Sequence, residues 1–199
     1  MRNCRRRNLF QQTVTYRAFC SLALLGCSLT IVPACWAQVA KPTDYQVKAV
    51  YLYNFGRFVA WPGRFLHSQD PFTICVLGQD PFGHALDAIL AGETISGRTV
   101  TAKRISSPQD SVNCQIVFLS AAENGSAGRT IEALNKHGIL TVSDMPEFTN
   151  RGGMIQFVME GKKVRFEVNL TAAQRAGLTL SSDLLKVATA VRRDPAPGE

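Results

Sequence analysis

The sequence predicts a single layered α/β domain with a mainly parallel sheet, flanking helices and a C-terminal β-hairpin. Two observations predict it. Between residues 72 and 142, short apolar strand-like runs alternate with helical segments, a pattern typical of parallel sheets built through helical crossovers. After residue 154, two further strand-like runs flank Glu160-Gly161-Lys162, which is a hairpin signal with a glycine turn.

The first element is a helix that starts near residue 45 and carries apolar residues around most of its circumference. Thr43 and Gln46 have the spacing of a capping box, and Pro62 followed by Gly63 is expected to end the helix. Such a helix is expected to be buried on more than one side. Asn54 lies on one apolar face, where its amide is expected to bond to main chain rather than to a ligand.

The central part of the chain predicts four strands and two helices. Asp80 is expected to cap the first of these helices with Pro81 at its first position, and Gly138 is expected to close the second. If the strand order is doubly wound, the first and third of these strands are neighbours in a right-handed parallel sheet. The predicted strands are 72–77, 98–105, 114–119 and 139–142, and the predicted helices are 80–91 and 126–137.

The last third of the chain predicts the hairpin, from strands 154–159 and 163–169, and two short helices. Thr171 and Gln174 have capping-box spacing for the first helix, and Ser182 is expected to cap the second. Residues 192–199, rich in proline and charge, are expected to form a disordered tail. The second helix carries an apolar stripe that is more often core than interface, formed by Leu184, Leu185, Ala188 and Val191.

The first 37 residues have the pattern of a cleaved signal peptide. Five arginines precede an apolar stretch over 18–32, and small residues lead up to Ala37. The stretch has about 15 residues, fewer than the roughly 20 that span a bilayer. Cleavage after Ala37 is therefore expected, with the domain over residues 38–191. The alternative is a lipoprotein box that would leave Cys27 as a lipidated N-terminus.

Removal of this leader changes the charge of the protein. The leader holds five of the 22 basic residues and none of the 15 acidic residues, so 17 basic and 15 acidic residues remain. The basic character of the full chain therefore belongs mostly to the export signal. It gives no support to nucleic-acid binding.

The cysteines also divide between the leader and the domain. Only Cys75 and Cys114 follow residue 37. Two cysteines in an oxidising compartment most simply pair with each other, and two buried free thiols are the alternative. The bond would close a loop of about 40 residues and stabilise the fold by about 4 kcal/mol on the chain-entropy estimate.

The chain is poor in residues that carry chemistry. His67, His84 and His137 are far apart and have no metal-ligand spacing, and no nucleophile or nucleotide-binding motif is present. The sequence therefore predicts a protein that is not an enzyme and has no cofactor, with a hydrolase as the least favoured alternative. Residues 78–83 give only a weak signal for a small-anion site at a helix N-terminus.

The polar loop over 144–153 contains the residues most typical of a protein contact. Asp144 and Glu147 are expected in a surface turn, and the glycines that follow are expected to serve a turn before the next strand. An exposed Phe148 beside Arg151 would match the composition of protein interfaces, which are enriched in aromatic residues and arginine. We therefore name Phe148 and Arg151 as candidate partner contacts, although a Phe148 ring tucked onto the sheet edge is the favoured alternative.

Several motifs in one order resemble those of the YfiR-like family of small periplasmic proteins, also known as domain of unknown function 4154. The resemblance begins in the first helix and covers residues 45–188, nearly all of the expected mature chain. It is carried by AVYLYNF (49–55), FV and WP (58–62), VLG and DPFG (76–83), CQIVF (114–118), LTVSD (140–144), GGMI (152–155), RFEVNL (165–170), AGL (176–178) and SSDLLK (181–186).

The resemblance implies a periplasmic repressor that holds an inner-membrane diguanylate cyclase inactive by binding its periplasmic domain. It also implies sequestration by an OmpA-type outer-membrane lipoprotein, control of cyclic di-GMP and biofilm formation, and a homodimer. Relatives carry a cysteine pair where Cys75 and Cys114 stand, and some carry a second pair that this chain lacks. The alternative function is a periplasmic small-molecule binding module, with its ligand near residues 78–82 at the carboxyl ends of the strands.

Overall fold

The structure is a computed structural model that describes residues 41–61, 63 and 70–193. The expected signal peptide and Cys27 lie outside the described residues, as do His67 and residues 194–199 of the expected tail. Among the described residues, no helix combines the length and the apolar character needed to cross a membrane.

The described chain alternates helices and strands, as the sequence predicts. The helices are α1 (Asp44–Phe58), α2 (His84–Leu90), α3 (Ala127–Lys136), α4 (Leu170–Arg175) and α5 (Ser182–Val187). The strands are β1 (Val59–Ala60), β2 (Phe72–Leu77), β3 (Thr94–Ile95), β4 (Arg98–Ile105), β5 (Ile116–Leu119), β6 (Leu140–Ser143), β7 (Ile155–Glu160), β8 (Lys163–Asn169), β9 (Thr179–Leu180) and β10 (Ala190–Arg192).

Eight of the strands in the described part form one mostly parallel sheet, in the order β10-β8-β7-β6-β5-β2-β4-β3. Strand β2 lies between β4 and β5 and is parallel to both, and β5, β6 and β7 continue the parallel arrangement. The first and third predicted strands are therefore neighbours, as a doubly wound order requires. The predicted C-terminal hairpin is β7 and β8, which pair antiparallel.

The sheet is buried on both faces, so alternate side chains of one strand belong to different cores. In β2, Ile74 and Val76 belong to the larger core, together with residues of α1, α2 and α5. Cys75 and Leu77 point to the other face and belong to a smaller core that includes residues of α3. A strand that packs against helices on both faces of the sheet needs apolar residues at nearly every position. The sequence of β2 has this pattern.

Two helix boundaries near the N-terminus differ from those predicted. The capping box of Thr43 and Gln46 is present. Helix α1 nevertheless ends at Phe58, before the predicted proline, because Val59 leaves the helix to pair with Leu180 of β9. Helix α2 begins at His84 rather than after Asp80, because Asp80 accepts a hydrogen bond from the Phe82 amide at 2.7 Å in a turn that precedes the helix.

The C-terminal helices are also shifted relative to the predictions. Asn169 caps α4 by accepting from the Ala172 amide, and Ser181 caps α5 by accepting from the Leu184 amide. Helix α5 ends at Val187, so the predicted helical stripe through Val191 is wrong. Residues 190–192 instead pair in parallel with β8, so Arg192, the first residue of the expected tail, lies in a strand.

Candidate functional site

The predicted cysteine pair is present as a disulfide between β2 and Cys114, which lies two residues before β5. Cys75 and Cys114 are bonded, with their Cα atoms 5.9 Å apart and a separation of 39 positions in sequence. Both side chains are buried beneath α3. The bond therefore fixes two neighbouring strands inside the smaller core and is not exposed to a partner.

Phe148 is buried, so its ring is not the exposed aromatic contact considered for the 144–153 loop. Its ring has 0% exposed surface and belongs to the core beneath α3. A Cβ atom added to Gly153 would overlap the Phe148 ring, so glycine is required there to let the ring in. Of the two alternatives for Phe148, the structure shows the buried one, and the ring offers no surface for docking while the loop is folded.

Arg151 is exposed, but its guanidinium serves the protein's own fold. Nη2 donates to the backbone carbonyl of Asn124 at 2.8 Å, and Nη1 donates to the Asn124 side chain. These bonds connect the 144–153 loop to the turn that follows β5. Because Arg151 is still accessible to solvent, it remains a candidate partner contact.

The crevice at the carboxyl ends of β2 and β5 is partly filled by a carboxylate. The side chain of Glu123 lies over Gly78, where an added Cβ would be 2.9 Å from Glu123 Oε1. Oε2 of Glu123 accepts from the Ser126 hydroxyl at 2.9 Å. Phe82 is buried nearby, with its ring 4.8 Å from that of Phe118. An anion at residues 78–83 would therefore meet negative charge.

A partly buried ion pair connects α1 to the end of β6, and the sequence did not predict it. Lys48 Nζ lies 2.6 Å from Asp144 Oδ2, which also accepts from the Tyr45 hydroxyl at 2.9 Å. Lys48 Nζ also lies 4.2 Å from the centroid of the Tyr45 ring. Asp144 is therefore a structural anchor for α1 rather than part of a free surface turn.

The same contact predicts a loss of stability at alkaline pH. Burial, followed by the hydrogen bond to Asp144, raises the pKa of Tyr45 from its ordinary value of 10.0 to about 12. The folded state therefore holds this proton more tightly than the unfolded chain. The stabilisation is fully present below pH 10, and we expect it to be lost as pH rises from 10 to about 12.

Urea unfolding at a series of pH values between 9 and 12 would measure this loss. Tyr45→Phe is the matched control, because it keeps the ring and removes the hydroxyl. Its free energy of unfolding should fall less steeply across this range than that of the wild-type protein. Equal slopes for the two proteins would contradict the assignment.

An apolar groove between α1 and α5 is the most distinctive surface feature of the described chain. It has a volume of about 340 Å³. Buried aromatic rings of Phe55 and Phe166 lie at its base, and these two rings pack edge to face with centroids 5.1 Å apart. We call it the α1–α5 groove, and it is lined by Tyr51, Asn54, Phe55, Phe58, Phe166, Asp183, Leu184 and Val187.

Exposed apolar side chains are concentrated at this groove. Three of the five exposed large hydrophobic residues in the described part lie in it or on the same face of α1. Phe58 is 38% exposed, Val187 is 58% exposed and Val50 is 45% exposed. Such a grouping marks an interaction surface more strongly than single scattered residues do.

A second depression continues from the groove and has a basic rim. It has a volume of about 410 Å³ and shares Tyr51 with the α1–α5 groove. We call its four cationic residues the basic end of the groove: Lys41, Lys162, Lys163 and Arg165. Asp44, Val47, Pro42 and Val164 complete the lining.

The sequence carried a partial signal for this site. Apolar residues occur around most of α1, which indicated that a second face of the helix is buried or bound by a partner. In the structure, some of these residues line the groove. Asn54 lies in the groove wall and makes no side-chain hydrogen bond within the described residues, so the predicted main-chain bond is not found. The opposite wall could not be predicted, because α5 lies more than 120 residues further along the chain.

Comparisons with known proteins agree with the resemblance seen in the sequence. The model of the family described as DUF4154, YfiR/HmsC-like, matches residues 45–189. The crystal structure of a conserved domain protein from Vibrio cholerae O1 biovar El Tor strain N16961 is similar with a TM-score of 0.54 and 12% sequence identity. The match covers 77% of this chain and 62% of that one, and at this identity it shows the fold alone.

A second solved structure has a slighter likeness. It is the ABC domain in complex with L-Trp from Streptococcus pneumoniae, with a TM-score of 0.45 and 14% identity over 61% of this chain and 55% of that chain. This likeness is too slight to support an argument about fold or ligand.

Proposed function

Because this chain belongs to the YfiR/HmsC-like family, we propose that it is a periplasmic regulatory binding protein that represses an inner-membrane diguanylate cyclase. The observation that carries the proposal is the family match over residues 45–189. At the level of the family, it supports a periplasmic regulator in cyclic di-GMP signalling. The disulfide fits an oxidising compartment.

The proposed mechanism is a shift of population in the cyclase. The bound repressor favours the inactive state of the enzyme through its periplasmic domain, and release of the repressor lets cyclic di-GMP rise in the cytoplasm and biofilm form. Repression requires tighter binding to the inactive state than to the active state. An OmpA-type outer-membrane lipoprotein would compete by sequestering the repressor, and a homodimer is the proposed form of the free protein.

The family match favours binding over catalysis. In residues 41–61, 63 and 70–193, no three metal-ligating side chains come together. His84 and His137 are both exposed, on α2 and at the end of α3. The family consists of regulators, which agrees with a protein that is not an enzyme. The small-molecule alternative is less favoured, because Glu123 occupies the crevice in which its ligand was expected.

The proposal predicts direct binding between the mature protein and the purified periplasmic domain of its partner cyclase. We expect saturable binding by titration calorimetry, since a regulator must be bound at working concentrations. Deletion of the gene should raise cyclic di-GMP only in cells that also contain the cyclase, because the repressor has no chemistry of its own.

Two outcomes would contradict the proposal. One is no detectable binding by well-folded protein at tens of micromolar, where a dissociation constant corresponds to only about 6 kcal/mol. The other is an equal rise of cyclic di-GMP in a strain that lacks the cyclase.

A further inference from the structure

The outer face of α1 carries a line of residues that are open to a partner. Val50, Asn54 and Phe58 are four residues apart and therefore lie one above another on the same face of the helix. This line extends for about 12 Å along the helix axis at 1.5 Å per residue. Val187 stands on the opposite wall, at the end of α5.

The groove has the composition of an anchor site. Its base is aromatic, with Phe55 and Phe166 buried and Tyr51 half-buried, and its walls add the exposed Phe58. Apolar anchors placed in such a pocket carry most of the binding free energy at protein interfaces. Asn54 has an amide that can donate to and accept from the backbone of a docked segment.

The charge at one end of the groove indicates the chemistry of the occupant. Within the described residues, Lys41, Lys162 and Lys163 have no ion-pair partner, and Arg165 lies 3.6 Å from Glu160. Asp44 is the single acidic residue in the lining of this end. The excess of positive charge favours a partner that is acidic where it leaves the apolar groove.

We propose that the α1–α5 groove and its basic end are the docking surface for an amphipathic segment of the cyclase's periplasmic domain. The segment presents apolar side chains to the groove and acidic side chains to Lys162 and Lys163. This inference rests on the proposed function and adds to it the surface of the repressor and the chemistry of the partner segment.

A second copy of this chain fits the groove less well. It offers an apolar stripe of its own, but its own basic end carries the same excess of positive charge, with Asp44 as the single acidic residue in the lining. At the far end of the groove, Asp183 already pairs with Lys186 at 3.2 Å. The basic end would therefore stay uncompensated in a dimer formed through this groove.

The test compares affinities for the purified periplasmic domain of the cyclase. Phe58→Asp and Val187→Asp place a charge in the apolar groove and also repel an acidic partner. Each should weaken binding roughly tenfold or more, as expected when an anchor position is lost. Val187→Asp is the safer variant for folding, because Val187 is the more exposed of the two side chains.

The matched control is Val112→Asp. Val112 is 71% exposed, and it follows a turn that contacts α3, on the other face of the sheet. The substitution replaces valine by aspartate at a surface position away from the groove. It should leave the affinity for the cyclase domain unchanged. Thermal melts of all variants establish that each is folded.

The basic end is tested separately by replacing both lysines, Lys162→Glu with Lys163→Glu. Both side chains are exposed at the hairpin turn, so the fold should be kept. The association rate should fall, and its dependence on salt should become weaker, because electrostatic steering acts mainly on that rate.

The outcomes separate this inference from the proposed function. If the wild-type protein binds and the folded groove variants bind equally well, the docking surface is wrong and the proposed function stands. If the wild-type protein does not bind, both fail. If Phe58→Asp converts a wild-type dimer to a monomer with unchanged affinity for the cyclase domain, the groove belongs to a second copy and the inference is overturned.

Discussion

Truncation of Phe148 to alanine should lower the free energy of unfolding by about 3–5 kcal/mol, the usual cost of deleting a buried phenyl ring. The ring is fully buried, and its neighbours in the smaller core lie in other elements of the sheet and in α3. Removal of the ring would leave a cavity between the loop and the sheet. Urea unfolding monitored by circular dichroism would measure the loss.

A double-mutant cycle tests whether Phe148 acts through the glycine that faces it. Gly153→Ala should cost about 1–3 kcal/mol in the wild-type protein, because the new methyl group overlaps the ring. In the Phe148→Ala background the same change should cost much less, since the methyl group then enters a cavity. The two substitutions are therefore expected to be strongly non-additive.

Gly128→Ala is the matched control for the glycine substitution. Gly128 is the second residue of α3, and an added Cβ there meets no atom of another element within 4 Å. The change should be neutral or stabilise the protein by up to about 1 kcal/mol, because alanine is the better helix former. If Phe148→Ala instead kept wild-type stability and lost affinity for the partner, the loop would be an interface, which is the other alternative that the sequence left open.

Phe148 shows why local sequence left this part of the site open between an exposed and a buried ring. The loop is polar on both sides of the ring, so composition alone favours exposure. The ring is buried because it approaches Gly153 closely. In the sequence, Gly152 and Gly153 are already explained as turn residues, so nothing indicates that one of them faces a ring. Gly152 does adopt a positive φ of 91°, which a turn explains, but Gly153 is required for its small size.

The sequence predicted well those elements that are specified by residues close together in the chain. The capping box at Thr43 forms as its spacing indicates, and strand β4 has the predicted bounds. The contacts that the sequence missed join distant residues. Lys48 and Asp144 are 96 residues apart, and β1 pairs with β9 across the length of the domain through two residues on each side. Such short, long-range pairings leave no periodic pattern in the sequence.

The disulfide lies between these two cases, because the expected compartment predicted the pairing and a doubly wound strand order would bring the two cysteines together. The doubly wound order placed the first and third predicted strands side by side, and the register pairs Cys75 with Val117, three residues beyond Cys114. Pairing of the last two cysteines therefore followed from the fold class together with the expected compartment.

Replacing both bridged residues, Cys75→Ala with Cys114→Ala, should lower the free energy of unfolding by about 4 kcal/mol on the chain-entropy estimate. The loss arises mainly in the unfolded chain, which gains the freedom of a loop spanning 39 residues. The native strands should keep their places, because other bonds join them. The Gln115 amide donates to the Thr73 carbonyl at 3.0 Å, and the Thr73 amide donates to the Gln115 side chain at 2.7 Å.

The measurement is urea unfolding of the mature protein with and without a reductant. Wild-type protein should become less stable when reduced, and the double-alanine variant should not respond to the reductant at all. Because the native strands are held independently, we also expect the variant to keep its affinity for the cyclase domain. Two titratable thiols in wild-type protein unfolded without reductant would show that the bond is absent, and a fully unfolded variant would show that the bond determines the native fold itself.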